Sequence, residues 1–185
     1  YIMGGWDGSG RLSDVQYAVI NADGTVGTWN TTASLVTARS SQASVVYNNY
    51  LYSVGGYTTA PTKDVYFTPM STGSAGNYVQ QASAFTAARF SQASVAYNGY
   101  LYIVGGYDET TYYDDIQYCP INSDGSIGTC TRQTSAFTTG RSYPAAVAYN
   151  GYLYVIGGTN GTQQNDISRC VINANGSVTT PCTQQ

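Results

Sequence analysis

Short apolar segments alternate with turns along the chain, and the same pattern recurs four times. In the second unit, residues 43–47 are rich in β-branched and aromatic side chains, Asn48-Asn49 forms a turn, and residues 51–54 return toward a Gly-Gly doublet. Asn-Gly stands at the equivalent turn of the two later units, which is a strong hairpin signal. The doublets recur at a period of about 50 residues, at Gly4-Gly5, Gly55-Gly56, Gly105-Gly106 and Gly157-Gly158.

Two further strands are predicted after each doublet. Third strands are expected at residues 14–20, 64–70, 115–121 and 166–172. Asp-Gly or Asn-Gly turns then lead to outer strands near residues 26–29, 127–130 and 178–182. Repeated units of four antiparallel strands without helices predict an all-β propeller. Its blades are expected at residues 1–30, where the innermost strand is missing, and at 31–81, 82–131 and 132–185 of a single segment spanning 1–185.

These motifs resemble the kelch repeat, in which apolar residues lead into a Gly-Gly doublet and an aromatic residue follows. The residues that carry the resemblance are Trp6, Tyr57 and Tyr107 after the doublets, and Trp29 in an outer segment. The resemblance covers essentially the whole chain and implies a kelch-type β-propeller of four-stranded antiparallel blades, present as a partial or half ring. The pattern differs at Thr159, which replaces the aromatic residue, and at Cys130 and Cys182, which replace the outer tryptophan.

The chain opens in the middle of a repeat, so we expect it to be a processed or excised piece of something longer. An arc of blades would leave strand edges and apolar sheet faces open. Further blades or a second copy of the chain are therefore expected to complete the ring.

Composition narrows the classes of partner. Charged residues make up 9% of the chain, the formal net charge is −3, and the seven Lys and Arg residues are scattered. Nucleic acid and anionic membranes require clustered cations, so neither is expected as a partner. No apolar run reaches the roughly 18 to 20 residues of a membrane span. Histidine is absent, which removes the commonest general base and transition-metal ligand, so no catalytic residue and no cofactor is predicted.

The four cysteines occupy matched positions in the last two units. Cys119 and Cys130 lie symmetrically about a turn, and Cys170 and Cys182 take the same places in the next unit. This spacing favours disulfides between Cys119 and Cys130 and between Cys170 and Cys182, with four buried free thiols as the alternative. Disulfides indicate an oxidising compartment, so a secreted, periplasmic or cell-surface location is expected. Possible N-glycosylation sequons agree with this location, at Asn30, Asn160 and Asn175.

One arginine precedes the inner hairpin of three units, at Arg39, Arg89 and Arg141. Two interpretations stay open. The guanidinium groups could line the mouth of the central channel and bind a carboxylate, a sulfate or an acidic peptide. Alternatively, each arginine bridges neighbouring blades, which its repetition in every unit favours. Its partners would then be loop carbonyls or the repeated aspartates Asp14, Asp64, Asp115 and Asp166.

The variable loops at residues 6–13, 57–63, 107–114 and 159–165 are expected to share one face, where binding usually resides. Aromatic side chains there could stack on sugars or anchor a protein partner, and the candidates are Trp6, Tyr57, Tyr107, Tyr112 and Tyr113. The first three could instead pack internally, whereas Tyr112 and Tyr113 are expected to be exposed. The nearby carboxylates could hold Ca²⁺ without any recognised calcium-loop spacing, at Asp108, Glu109, Asp114 and Asp115.

Together these features predict a non-enzymatic, extracytoplasmic recognition or adhesion module that binds protein or glycan through the variable loops. A structural building block of a surface layer or filament is one alternative. A fragment of a kelch-type carbohydrate-active enzyme is another.

Overall fold

The computed structural model describes residues 1–71 and 74–185, which form four antiparallel sheets and no helix. Blade 1 contains β1 (Ile2–Trp6), β2 (Arg11–Tyr17) and β3 (Asn30–Thr32). Blade 2 contains β4 (Ala43–Tyr47), β5 (Tyr50–Val54), β6 (Val65–Ser71), β7 (Ser74–Ala75) and β8 (Val79–Gln81). Blade 3 contains β9 (Ala93–Tyr97), β10 (Tyr100–Val104), β11 (Ile116–Pro120) and β12 (Thr131–Gln133). Blade 4 contains β13 (Ala145–Tyr149), β14 (Tyr152–Ile156), β15 (Ile167–Val171) and β16 (Thr183–Gln184).

Each blade is an antiparallel meander whose strands pair in chain order, except that in blade 2 both β7 and β8 pair with β6. The inner strands β4, β9 and β13 contact one another in sequence, so blades 2, 3 and 4 stand side by side. This all-β arrangement is that of kelch-type propeller blades, as the sequence predicts. The described residues form an arc and do not close into a ring. Within those residues, no helix is long and apolar enough to cross a membrane.

Two-residue turns join the inner strands, as the Asn-Gly pattern predicts. In blade 3, Asn98 and Gly99 have φ angles of 50° and 83°, and Tyr97 pairs with Tyr100 across them. Positive φ at both central positions defines the turn whose twist matches that of the flanking strands. Asn48 and Asn49 adopt the same conformation in blade 2, at 46° and 61°, because asparagine tolerates this region better than most side chains.

The outer strands begin later than the sequence pattern predicts. In blade 3 the predicted outer strand at 127–130 forms a single bridge, Ile121 with Ile127, and the regular ladder starts at β12. The reason is local hydrogen bonding, because Asp124 accepts hydrogen bonds from the backbone N–H and the hydroxyl of Ser126 within the turn. Blades 1 and 4 show the same shift, with outer strands at β3 and β16 instead of 26–29 and 178–182.

The hydrophobic core lies between blades. Tyr52 and Val65 of blade 2 are fully buried against Leu101 and Ile103 of blade 3. A second cluster buries Ile116 of blade 3 against blade 4, and a third lies between blades 1 and 2. Side chains on both faces of a blade are therefore buried only where a neighbouring blade covers them.

The first three Gly-Gly doublets accept the main chain of the next blade against them. The amide of Gly56 donates to the carbonyl of Arg89 at 3.0 Å, and the amide of Gly106 donates to Arg141 at 2.8 Å. A Cβ on Gly105, the first glycine of its doublet, would lie 2.7 Å from that same Arg141 carbonyl. The doublets are thus required by close contact between blades as well as by their positive φ angles.

Glutamine side chains join the outer edges of the blades. The Gln133 amide donates to the carbonyl of Val178 at 2.8 Å and accepts the Val178 backbone N–H at 2.7 Å. Gln81 makes the same pair of bonds with Ile127, at 2.9 and 2.6 Å. Each glutamine therefore satisfies both backbone groups of one residue in the next blade.

Candidate functional site

The three repeated arginines are fully buried and paired with carboxylates. Two guanidinium nitrogens of Arg141 bond the two carboxylate oxygens of Asp166 at 2.7 and 3.1 Å, and one of them also bonds the carbonyl of Gly157. Arg39 binds Asp64 in the same way, at 2.8 and 2.9 Å. Such forked pairs are strong and geometrically specific.

The pair in blade 3 is more elaborate. Arg89 and Asp115 are both fully buried and approach to 2.5 Å, and Arg132 binds the second carboxylate oxygen of Asp115. The Tyr113 ring lies 3.9 Å from the Arg89 guanidinium carbon, a cation–π contact. Asp115 is therefore shared between two arginines and has no exposed oxygen.

Ion pairing keeps two of these aspartates ionised. Hydrogen bonds from Arg141 outweigh burial and hold the pKa of Asp166 below its usual value. Burial works against the charged form of Asp64, yet the hydrogen bonds and charge of Arg39 still lower its pKa. The buried cations are thus matched by carboxylates that stay charged at neutral pH.

This geometry supports the architectural interpretation of the arginines. The main chain of Arg89 bonds blade 2 at Gly56 and Thr62, while its side chain bonds Asp115 and Gly105 of blade 3. Each arginine is fully buried, so a carboxylate or sulfate ligand would find no exposed guanidinium there. The repeated aspartate of blade 1, Asp14, instead accepts the side-chain amide of Gln16.

The loop face carries a continuous row of aromatic rings. Tyr57 of blade 2 meets the edge of Phe90 at a centroid distance of 5.1 Å, and Phe90 meets Tyr107 at 5.6 Å. Tyr107 stacks on Tyr112 at 4.4 Å. The row continues into blade 1 through Arg11, which lies 4.5 Å from the centre of the Tyr57 ring. These rings and Arg11 link three blades by direct contact.

Trp6 forms the blade 1 end of the row. Its ring lies 5.4 Å from the Arg11 guanidinium carbon, and the residue is 56% exposed. We call the complete set the aromatic strip, which consists of Trp6, Arg11, Tyr57, Phe90, Tyr107 and Tyr112. Apart from Trp6, its members are half-buried. The rings therefore pack against one another and also remain partly exposed to solvent. This combines the internal packing and the exposure for ligand contact that the sequence left as alternatives.

Sequence reasoning missed Phe90 and misplaced Tyr113. Phe90 stands where the neighbouring units have Ser40 and Ser142, so its departure from the repeat was the available signal. Tyr113, expected to be exposed, is only 9% exposed because it lies beneath Arg89. Its hydroxyl donates to Asp108 at 2.6 Å, and burial together with this bond raises the pKa of Tyr113 to about 12.

The acidic loop is tied down by its own hydrogen bonds. Asp108 accepts the backbone N–H groups of Thr110 and Thr111, and these bonds with that of Tyr113 outweigh burial and lower the pKa of Asp108 to about 2. Glu109 accepts the Tyr57 hydroxyl at 2.7 Å, a bond that raises the pKa of Tyr57. This contact fixes the acidic loop of blade 3 against blade 2.

The four candidate calcium ligands do not converge. The Asp115 carboxylate is paired with two arginines. Asp108 accepts hydrogen bonds within its own turn, and Glu109 accepts a hydrogen bond from the Tyr57 hydroxyl. Asp114 accepts a 3.4 Å bond from the Ser135 backbone N–H. Across residues 1–71 and 74–185, no group of three or more His, Cys, Asp or Glu side chains is arranged to hold a metal ion.

Two surface depressions accompany these features. The larger, of about 440 Å³, lies between the outer edges of blades 2 and 3 and is lined by residues 81–86 and 127–130 with Lys63. The smaller, of about 240 Å³, lies where the inner strands begin. Its lining residues are Ser41, Gln42, Ser91, Gln92, Tyr143 and Pro144. The smaller depression is lined entirely by uncharged residues and so offers no carboxylate pair for hydrolysis.

The cysteines pair as their spacing predicts. Cys119 bonds Cys130 and Cys170 bonds Cys182, and the described residues contain no free cysteine. Such bonds point to an oxidising compartment. Of the three sequon asparagines, Asn30 and Asn175 are exposed and Asn160 is half-buried.

Comparison with known families agrees with the fold. Residues 1–176 match the KLHDC2/KLHL20/DRC7 Kelch-repeats domain, and the chain belongs to this family of kelch repeats. A search of curated proteins found no match. Kelch-repeat domains are in general non-enzymatic modules for protein interaction.

Proposed function

We propose that this chain is a non-catalytic recognition module of an extracytoplasmic protein, and that it binds a protein partner through the aromatic strip. The observation that carries the proposal is the unbroken contact from Trp6 to Tyr112 across three blades. Tryptophan, tyrosine and arginine dominate the binding energy of protein interfaces. The strip is composed mainly of these three residue types.

The strip is organised before a partner arrives. Tyr57 is held by Phe90 and by Glu109, and Tyr107 donates its hydroxyl to the carbonyl of Glu109 at 2.7 Å. Side chains that are already ordered lose little rotamer freedom on binding. The expected partner presents apolar side chains along an extended surface, because the strip crosses several blades and does not line an enclosed cavity.

Two features support the extracytoplasmic location. Disulfides persist in oxidising compartments and are rare elsewhere, and this chain has two, in adjacent blades. The exposed sequons at Asn30 and Asn175 fit the same location.

The test is a display library of random peptides selected on the disulfide-bonded chain, followed by affinity measurements on variants. Trp6→Ala and Tyr112→Ala should each lower the affinity for the selected peptides about 30-fold, which is equivalent to a loss of about 2 kcal/mol in binding free energy, as for an interface hot spot. Tyr149→Ala is the matched control, because Tyr149 is 72% exposed but lies in blade 4, away from the strip. It should change affinity by less than about twofold.

The proposal fails if the strip variants bind as well as the parent chain, or if Tyr149→Ala causes an equal loss. A panel of glycans measured in the same format separates ligand classes. Glycan binding that depends on Trp6 and Tyr112, without peptide binding, would reassign the strip to carbohydrate recognition.

A further inference from the structure

The groove between the outer edges of blades 2 and 3 lies beside one of the two disulfides. Its volume is about 440 Å³, and Cys130 is one of its lining residues. Cys130 is half-buried, whereas its partner Cys119 is fully buried. Blades 2 and 3 each pack against a neighbour on both sides, so the groove is internal to the arc. A reagent entering the groove therefore meets Cys130 first. We call these two cysteines the blade 3 pair.

The equivalent junction between blades 3 and 4 is bridged by a main-chain bond. The backbone N–H of Cys182 donates to the carbonyl of Ala136 at 2.7 Å, and Cys182 is only 7% exposed. Ala84 is the equivalent of Ala136, and among the described residues its carbonyl accepts no such bond from Cys130. The bond accompanies one extra residue, since the sequence separation is 12 in the disulfide of blade 4, the blade 4 pair, and 11 in the blade 3 pair. The blade 4 pair is therefore the better shielded of the two.

The two junctions also differ in charge. Lys63 lines the open groove and is the one lysine of the chain, and none of the described carboxylates forms an ion pair with it. In the next junction Asp114 takes its place, because the carbonyls of Lys63 and Asp114 accept the backbone N–H groups of the equivalent residues Phe85 and Phe137. An anion is therefore attracted to the groove between blades 2 and 3 and repelled from the matching position between blades 3 and 4.

We propose that the blade 3 pair is a site of thiol–disulfide exchange, which small thiols carrying carboxylates reach through the groove, whereas the blade 4 pair is closed to them. The attacking species is a thiolate, and Lys63 attracts both its charge and that of the carboxylates. The thiolate attacks Sγ of Cys130 to form a mixed disulfide, and the Cys119 sulfur leaves as a thiolate that takes a proton from solvent. A second thiolate attacks the outer sulfur of the mixed disulfide and releases Cys130. Two external thiols are thus oxidised to one disulfide while the protein gains two thiols.

Reduction of the blade 3 pair removes one covalent bond and leaves the surrounding contacts in place. The disulfide joins β11 to the segment that precedes β12. Gln81 bonds both backbone groups of Ile127 in that segment, and Tyr118 pairs with Thr131 beside the cysteines. None of these contacts involves a sulfur atom, so the blade 3 pair can open and close again while the blade stays assembled.

Limited reduction of the oxidised chain with glutathione tests the proposal. Free thiols are trapped with N-ethylmaleimide at successive times and located by mass spectrometry of tryptic peptides. Trypsin cuts after Arg89, Arg132 and Arg169, so each disulfide falls in a peptide of its own. The blade 3 pair should be labelled at least about tenfold faster than the blade 4 pair. Its rate should rise in proportion to the glutathione concentration, because the reaction takes place in the folded protein.

Variants of the groove lysine test the role of charge. Lys63→Gln should slow the reaction of the blade 3 pair with glutathione about two- to fivefold, and should slow its reaction with uncharged 2-mercaptoethanol less. Lys63→Arg is the matched control, because it keeps the positive charge and should react like the parent chain. Equal labelling of the two pairs overturns the proposal, as does a rate that stops rising with glutathione concentration at the rate of global unfolding. An unchanged rate in Lys63→Gln also contradicts it.

Discussion

Replacing Arg141 with methionine would leave one buried carboxylate without its cation. The substitution removes two bonds to Asp166 and one each to the carbonyls of Gly157 and Thr139, at distances between 2.7 and 3.1 Å. Methionine keeps an unbranched apolar side chain beside Phe137, whose ring lies 5.1 Å from the guanidinium carbon. The main consequence is therefore electrostatic, because the one side-chain hydrogen bond that Asp166 retains among the described residues is the 3.5 Å bond from Ser168.

The size of the loss follows from burial. Breaking a buried ion pair by removing one partner costs about 3 to 5 kcal/mol. The Arg141 and Asp166 side chains are 0% and 7% exposed, but the residue after Asp166, Ile167, is 39% exposed, so we expect the lower value of about 3 kcal/mol. For a chain of this size, that corresponds to a fall in Tm of about 6 to 12 °C.

The loss should depend on pH with a definite sign. Arg141 lowers the pKa of Asp166 in the folded state, so the pair stabilises the fold above the unfolded pKa of about 3.9 and stops doing so as pH falls through the folded value. The difference between the parent and Arg141→Met should be largest at pH 7 and shrink below about pH 4. Urea unfolding followed by circular dichroism at several pH values measures it.

Two further variants separate charge from packing. Arg141→Met with Asp166→Asn should recover about half of the lost stability at pH 7, since no charge is left unpaired although the amide still lacks partners. Arg169→Met in the same blade removes an arginine that contacts the Tyr152 ring at 5.0 Å and should cost about 1 kcal/mol or less. The reasoning is refuted if Arg141→Met loses less than about 1 kcal/mol at pH 7, or if its loss does not change with pH.

Two other predictions concern the contacts that hold the outer edges of the blades. Replacing Cys119 and Cys130 together with alanine should lower the free energy of unfolding by about 2 to 3 kcal/mol, because the bond closes a short loop of sequence separation 11; a parent chain and variant with equal urea midpoints would contradict this. Gln133→Ala should cost about 1 to 3 kcal/mol, since it leaves both backbone groups of Val178 without the bonds that Gln133 supplies. Gln133→Glu serves as its comparison, because a carboxylate accepts the Val178 N–H but cannot donate to its carbonyl.

Much of the fold follows from local rules that repeat. The Asn-Gly turns require positive φ angles, and they locate the inner hairpins closely. Cys119 and Cys130 lie opposite each other because the third and outer strands continue one register, with Tyr118 paired to Thr131 beside them. The arginine and its aspartate are separated by 25 or 26 residues in each unit, a regularity that favours the architectural interpretation.

Contacts between blades were harder to predict, because no local rule describes them. Phe90 joins the aromatic strip by contacting Tyr57 and Tyr107, which lie in two other loops. Its ring centroid lies 5.1 Å from that of Tyr57 and 5.6 Å from that of Tyr107 because adjacent blades are closely spaced. Tyr113 and Tyr112 are adjacent in sequence, yet one lies under Arg89 and the other stacks on Tyr107. The outer strands were misplaced because the hydrogen bonds of side chains in the turn compete with the strand ladder.

The bonds that Gln81 and Gln133 make to the next blade do not depend on which side chain that blade carries at the bonded residue. Gln81 and Gln133 bind only the main-chain N–H and carbonyl of Ile127 and Val178, groups that every amino acid except proline provides. A duplicated or exchanged blade could therefore accept the same glutamine bonds at any position in the propeller. Propeller length can change by whole blades without a new interface having to evolve, which leaves the variable loops free to diverge independently.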